Sequence, residues 1–308
     1  MAFMRGASSE AQVKLFICRV ADLVLSPLTL AASLLLKFIR IAGVERMPVA
    51  RFIFRTVGLF PIRNHYYEPL FAPSQLHGNV FVPRVLPGID WNLDAQIATV
   101  GELNAFAGEL PDMPAMVFVG ADRSFWYSMI RRFRPKRIIE VGSGDSTRIA
   151  LEAIARNGDP CEHICIEPYE QPWLEGKVHV LRKRLEEVDR SLFSTLEAND
   201  ILFIDSSHVI RPQGDVLVEF LEILPTLKPG VIVHVHDIFS PRDYPKRWIL
   251  DEVRLWNEQY LVEAFLSFNC QWEILVALNY LRHDHPGVYK FLPDEDPGSL
   301  YIRRVQSN

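Results

Sequence analysis

Much of what marks other protein classes is missing from these 308 residues. Cysteine is scarce, with four at Cys18, Cys161, Cys165 and Cys270. Cys161 and Cys165 sit around a strand with three residues between them, and no second pair exists to complete a zinc site. All four read as reduced, mostly buried thiols of a cytosolic compartment. There is no long basic run, and the formal net charge is −5, which excludes nucleic-acid affinity built on phosphate contacts. Internal repeats and low-complexity tracts are absent. The amino-terminal region lacks the basic start and small-residue cleavage site of a clean signal peptide. The glycine motif of a dinucleotide site is incomplete, as shown below.

What is present is an ordinary globular composition, 49% hydrophobic and 23% charged, with one unusual segment. Residues 15–41, LFICRVADLVLSPLTLAASLLLKFIRI, are the most apolar of the chain. Arg19 and Asp22 interrupt them, and the core from Leu23 to Leu36 has 14 residues, short of the ~20 of a spanning helix. Pro27 is expected to break or kink a helix there. Basic residues follow at Lys37, Arg40, Arg46, Arg51 and Arg55. Two expectations stand side by side: an interfacial helix or hairpin in peripheral contact with an anionic cytoplasmic leaflet, or a helical arm packed on its own domain or on a second subunit of a homo-oligomer. A connector rich in proline and aromatics comes next; Tyr66 and Tyr67 within it offer stacking surface to a sugar ring. Helical spacing is expected over 93–110 and 124–133. The chain thus divides into an apolar helical extension (1–60), a connector with a cap helix (61–114), and a domain over 115–308.

From Pro135 strands and helices alternate. KRIIEVGSG (136–144), EHICIEP (162–168), KVHVLRKR (177–184), DILFIDSSH (200–208) and PGVIVHVHDIF (229–239) read as strands, with CQWEILVALNY (270–280) and SLYIRR (299–304) as late ones. Helices are expected over 146–156, 214–227 and 247–265. The alternation predicts an α/β fold with a doubly wound, mostly parallel sheet. Ligands bind such sheets beyond the carboxyl ends of the strands. That edge collects the Gly142–Asp145 turn, Glu167, Asp205, His208, His236 and Asp237. His234 lies deeper on the same strand face as His236 and reads as a buried, hydrogen-bonded core histidine; Asp237 would point to the opposite face if the strand stays regular.

In EVGSGDST the third glycine of a G-x-G-x-x-G fingerprint is replaced by Thr147, and Asp145 would repel a pyrophosphate. An NAD-dependent dehydrogenase is therefore disfavoured. Glu167, 23 residues after Gly144, is placed to accept from both ribose hydroxyls of an adenosine.

The motifs IIEVGSGDST, CIEP, FIDSSH and GSLYIRR resemble those of the class I S-adenosylmethionine (SAM)-dependent methyltransferases, over about residues 115–305. The resemblance implies a Rossmann-like seven-stranded sheet with its last strand antiparallel. It implies SAM over the glycine turn, with Gly142, Ser143, Gly144, Ser146, Thr147 and Asp205 lining it. Glu167 would hold the ribose, Glu140 would lie near the methionine end, and Leu185–Glu187 would flank the adenine. A subset of these enzymes, including some acting on macrolide sugars, holds Mg²⁺ with acids after strands four and five. By that likeness Asp205, His236 and Asp237 would be metal ligands and His208, with Asp205, would carry catalysis as general base. Imidazole at His236, where the subset has an acid, would favour Mn²⁺, Fe²⁺ or Zn²⁺ over Mg²⁺. Arg242 and Tyr244, on the turn after strand five, would meet the acceptor. The expectation is a cytoplasmic O-methyltransferase, attached to the inner face of the membrane, acting on a glycan or another small polar natural product. Two alternatives are an iron oxygenase with a two-histidine, one-carboxylate centre and a SAM-dependent N-methyltransferase; a catalytically silent membrane adaptor is a third.

Overall fold

The computed structural model describes residues 9–59, 76, 79–106, 108–111, 118–169, 172–288 and 296–306. Tyr66 and Tyr67 lie outside the described residues. The chain forms two compact units, Met1–Leu76 and His77–Asn308.

The first unit contains α1 (Ser9–Ala42) and α2 (Pro48–Val57), joined through a 3₁₀ turn at Val44–Arg46. Contrary to expectation, α1 runs through Pro27 without a break. A proline at 27 cannot donate to the carbonyl of Leu23, one turn earlier. The Ser26 hydroxyl donates to that carbonyl instead, at 2.8 Å, and Thr29 donates to Leu25 at 3.1 Å. Two neighbouring side chains thus satisfy carbonyls around the proline.

The second unit is built on β1 (Arg137–Val141), β2 (Glu162–Ile166), β3 (His179–Leu181), β4 (Ile201–Ile204), β5 (Ile232–Val235), β6 (Trp272–Ala277) and β7 (Leu300–Arg304). Their order is β3-β2-β1-β4-β5-β7-β6. The first five are parallel, and β7 runs antiparallel to both β5 and β6. Parallel strands covered on both faces should be apolar throughout, and β4 and β5 are buried at every position. Alternation divides their side chains between two cores. Ile139, Val141, Leu202, Ile204, Val233 and Val235 face one side. Ile138, Ile201, Phe203 and Ile232 face the other, against α4 (Gly120–Phe133) and α5 (Asp145–Asn157). Helix α3 (Leu93–Leu103) packs beside β6, where Gln96 accepts from the Ala277 amide at 2.8 Å.

Several expected elements are shorter. The third strand keeps three residues, and of the helix expected over 214–227 only α6 (Asp215–Val218) is α-helical. The helix expected over 247–265 is a π turn at Arg247–Asp251 followed by α7 (Glu258–Leu266), with Val253 at φ 53° in the break between them. The sixth strand passes directly into α8 (Leu278–Asp284). All four thiols are free, but Cys18 and Cys270 are exposed rather than buried.

Candidate functional site

The ends of β1, β2 and β4 meet at one glycine. Gly142 has φ +93°, and a Cβ there would lie 2.5 Å from the carbonyl oxygen of Asp205. Its amide donates to Ile166 at 3.0 Å, and the Asp205 amide donates to Val141 at 3.0 Å. The turn therefore fits only a residue without a side chain in a left-handed conformation. Gly144 differs: a Cβ there would meet nothing within 4 Å, leaving room for a ligand to approach the backbone. Ser143, between them, presents a hydroxyl with no protein partner among the described residues.

Three residues expected at the cofactor turn inward. Glu140 is fully buried, on the face covered by α4 and α5. Its carboxylate accepts from Ser146 Oγ at 3.1 Å and from Thr147 Oγ1 at 2.8 Å, and lies 2.8 Å from His163 Nε2. Thr147 Oγ1 in turn accepts from the Gly144 amide at 3.1 Å. Glu140, Ser146 and Thr147 thus brace the glycine turn from beneath, and their side chains are occupied there. A buried carboxylate needs such donors. Gly142, Ser143 and Gly144 remain on the accessible edge. So does Glu167 at the end of β2, where one carboxylate oxygen accepts from the Tyr169 amide at 2.7 Å.

Beyond β4 and β5 four side chains converge. Asp205 follows β4 directly, and His208, at φ +58°, turns back toward it. His208 Nε2 lies 3.3 Å from Asp205 Oδ1 and 3.6 Å from Asp237 Oδ2. Asp237 was expected on the opposite face from His236. It instead has φ +59°, which ends the strand alternation and brings its carboxylate round to the same side. His236 Nδ1 stands 3.4 Å from Asp205 and 3.6 Å from Asp237, without hydrogen-bond alignment to either. One ligand atom each from Asp205, His208 and Asp237 fall within 4.8 Å of one another.

The electrostatics are those of a tight network of opposite charges. Burial alone would lower His208, but hydrogen bonds to Asp205 and Glu258 push it up to about 11. His236, also opposed by burial, is raised to about 10 by Asp237 and Asp205. Asp205 is disfavoured by burial, yet the two imidazoles hold it well below the ordinary carboxylate range. Burial raises Asp237, with the histidines only partly offsetting it. Asp205 keeps 36% of its side chain exposed, so the cluster opens toward solvent on its side.

Two acids here carry no motif. Glu258, the first residue of α7, is fully buried and meets His208 Nδ1 at 2.8 Å. It lies 50 residues away in sequence, and only the tertiary fold pairs them. Asp122, from the first turn of α4, is 3.9 Å from His236 Nε2 and accepts from the Gly298 amide at 3.1 Å.

Other expected site residues are committed elsewhere. Arg242 is buried, donating twice to Asp284 at 2.7 and 3.1 Å with its guanidinium over Phe81. The Tyr244 hydroxyl is buried and accepts from the Gln259 amide at 3.0 Å. Both anchor the segment after β5 and do not present themselves to an acceptor. His234 is buried as expected but not hydrogen-bonded: neither ring nitrogen has a partner among the described residues. It stacks on Tyr301 at 4.1 Å between centroids, and burial keeps it neutral by lowering its pKa.

A seven-stranded sheet with this order, one reversed strand and a glycine turn between β1 and α5 is the Rossmann-like architecture expected from the resemblance to class I SAM-dependent methyltransferases. Residues 139–238, from β1 through the end of β5, match the family model Methyltransf_24, a methyltransferase domain. An uncharacterized protein of Archaeoglobus fulgidus is 28% identical over 174 residues, covering 48% of this chain and 78% of that protein. Among solved structures, the SAH-bound Podospora anserina methyltransferase PaMTH1 is 18% identical, with a TM-score of 0.40 over 69% of this chain and 88% of its own. The apo-structure of CmcI-N160 is 15% identical, with a TM-score of 0.40 over 83% of this chain and 95% of its own.

Proposed function

We propose that the chain transfers the methyl group of SAM to a hydroxyl of a small polar or glycan acceptor, assisted by a divalent cation. The observation that carries this reading is the convergence of Asp205, His208, His236 and Asp237 beside the Gly142 turn. SAM would lie over Ser143 and Gly144, with its ribose on Glu167. The donor set fits a cation. Two carboxylates and an imidazole suit Mn²⁺, Fe²⁺ or Zn²⁺ better than Mg²⁺. Donors to such an ion would stand ~3.4 Å apart, close to the 3.4 and 3.6 Å that separate His236 Nδ1 from Asp205 and Asp237. His236 Nδ1, buried and without a hydrogen-bond partner among the described residues, is the imidazole donor of this set. Asp205, Asp237 and His236 would hold the ion, which would supply Lewis acidity to an approaching hydroxyl.

His208 is then the general base, held by Glu258 through Nδ1. Without a cation it is an imidazolium, because the surrounding carboxylates keep its proton. Positive charge at Asp205 and Asp237 would cancel that support and return His208 toward the range in which it accepts a proton. His208 Nε2 would take the hydroxyl proton as the acceptor oxygen displaces the methyl group of a bound SAM, which would leave as S-adenosylhomocysteine. The test is methyl transfer from labelled SAM to matched hydroxyl and amine acceptors, with and without EDTA, for wild type and His208→Asn. The reading expects hydroxyl methylation that EDTA and the substitution each abolish. Transfer to amines alone, unaffected by either, would replace it with an N-methyltransferase.

A further inference from the structure

The amino-terminal helix carries information that the methyltransferase site does not use. The most apolar stretch within Val13–Ala42 has a mean hydropathy of 1.8, and none of that stretch is buried. Leu23, Leu28, Leu30, Leu34 and Leu35 are all exposed. An apolar surface of this extent needs a partner.

The placement of its few polar residues says which. At ~100° per residue, Arg19, Asp22, Ser26, Thr29, Ser33, Lys37 and Arg40 recur every three or four positions and fall on a single stripe. The stripe subtends about 80° of the helix circumference, and between Arg19 and Arg40 every other position is apolar. A helix lying flat in the interface presents a broad polar face to water. Here about three quarters of the circumference is apolar, the pattern of a helix surrounded by hydrocarbon. Charges occur only toward the ends of the stripe, while its middle holds Ser26, Thr29 and Ser33. The hydroxyls of Ser26 and Thr29 already donate to the helix's own carbonyls, as a nonpolar medium requires. From Arg19 to Arg40 the helix rises ~31 Å, against a hydrocarbon core of ~30 Å. Arg19 and Asp22 thus reach one interface, and Lys37 and Arg40 the other.

Helix α2 continues the pattern on the carboxy-terminal side. Val49, Phe52, Ile53 and Val57 form one exposed apolar face, with Phe52 72% exposed. Arg51 and Arg55, one turn apart, lie opposite. Lys37, Arg40, Arg46, Arg51 and Arg55 outnumber Arg5, Lys14 and Arg19 on the other flank, which sets the orientation by the excess of positive charge.

We infer that α1 spans a lipid bilayer once, with α2 lying on the anionic cytoplasmic leaflet and the methyltransferase domain on that same side. The full chain, expressed in bacterial cells on a Cys18→Ser background with Lys14→Cys, tests this. After a wash in alkaline carbonate, nearly all of the protein is expected in the membrane pellet. A membrane-impermeant maleimide applied to spheroplasts should label the cysteine at position 14, and label Cys270 only after permeabilisation. Thr29→Lys, at the middle of the stripe, should lose most of its membrane fraction, because a span would carry the charge to the bilayer centre. Release of the wild-type chain by carbonate would overturn the inference. So would labelling of both thiols from one side, or retention of Thr29→Lys at the wild-type level, as a flat helix with its stripe in water would allow.

Discussion

Two glycines two residues apart should fail in opposite ways when replaced by alanine. At Gly142 the added Cβ would stand 2.5 Å from the Asp205 carbonyl oxygen, whereas ordinary contact begins at 3.4 Å. The difference, 3.4 − 2.5, requires the turn or the strand end to retreat by ~0.9 Å, and such overpacking costs ~1–3 kcal/mol. The left-handed conformation adds ~1–2 kcal/mol for a residue with a side chain. For a domain of this size the sum corresponds to a melting shift on the order of 10 °C. Because Asp205 would move with its carbonyl, the geometry of the whole cluster would shift as well. At Gly144 the Cβ would enter open space, so stability should change by no more than ~0.5 kcal/mol. The methyl would instead occupy the place of the ligand, and SAM affinity should fall at least ~10-fold, or ~1.4 kcal/mol. Differential scanning fluorimetry and calorimetric titration of SAM on both variants separate the effects. A Gly142→Ala variant that melts with wild type, or a Gly144→Ala variant that binds SAM unchanged, would refute the assignment of the first glycine to packing and the second to ligand approach.

The buried pair should behave as a unit. Removing Glu258 or His208 alone leaves a partner charge uncompensated, at ~3–5 kcal/mol by alanine substitution, while the double variant should cost clearly less than the sum; additivity within ~0.5 kcal/mol in urea unfolding would show that they are not coupled. Stability should also depend on pH with a defined sign. His208 and His236 have folded values raised to about 11 and about 10. Their stabilisation is complete below the unfolded value of ~6.5 and is lost as pH rises through the folded ones. The raised Asp237 acts in the same direction from the carboxylate range upward, and the lowered Asp205 loses its contribution only on acidification. The melting temperature of EDTA-treated protein should therefore fall steadily between pH 6.5 and 10. Mn²⁺ at ~100-fold its dissociation constant should raise stability by ~2.7 kcal/mol and flatten that slope; a profile identical with and without the cation would argue against binding at these groups.

The sheet was legible because its signals are local: apolar runs of strand length, a glycine turn at a strand end, and an acid closing the second strand. The edge that collects Asp205, His208, His236 and Asp237 followed from the rule for parallel sheets alone. What the sequence could not reveal depends on backbone departures and on distance. Asp237 reaches the cluster through one left-handed residue that no period announces. Glu140 bears the same identity whether it faces a ligand or a buried brace, and only the hydroxyls of Ser146 and Thr147 decide it. Arg242 and Tyr244 looked available because Asp284 and Gln259, which engage them, come from segments further along the chain. The Ser26 hydroxyl that lets α1 pass through Pro27 is adjacent in sequence, yet its effect depends on a side-chain rotamer.

The most direct measurement is calorimetric titration of SAM into the intact protein and into Glu167→Ala. Wild type should bind one SAM per chain, and the variant, deprived of its ribose acceptor, should bind at least ~10-fold more weakly with its melting temperature unchanged. Equal affinity in the two proteins, or no heat of binding in either, would contradict a cofactor seated over the glycine turn and facing the Asp205–His208 cluster.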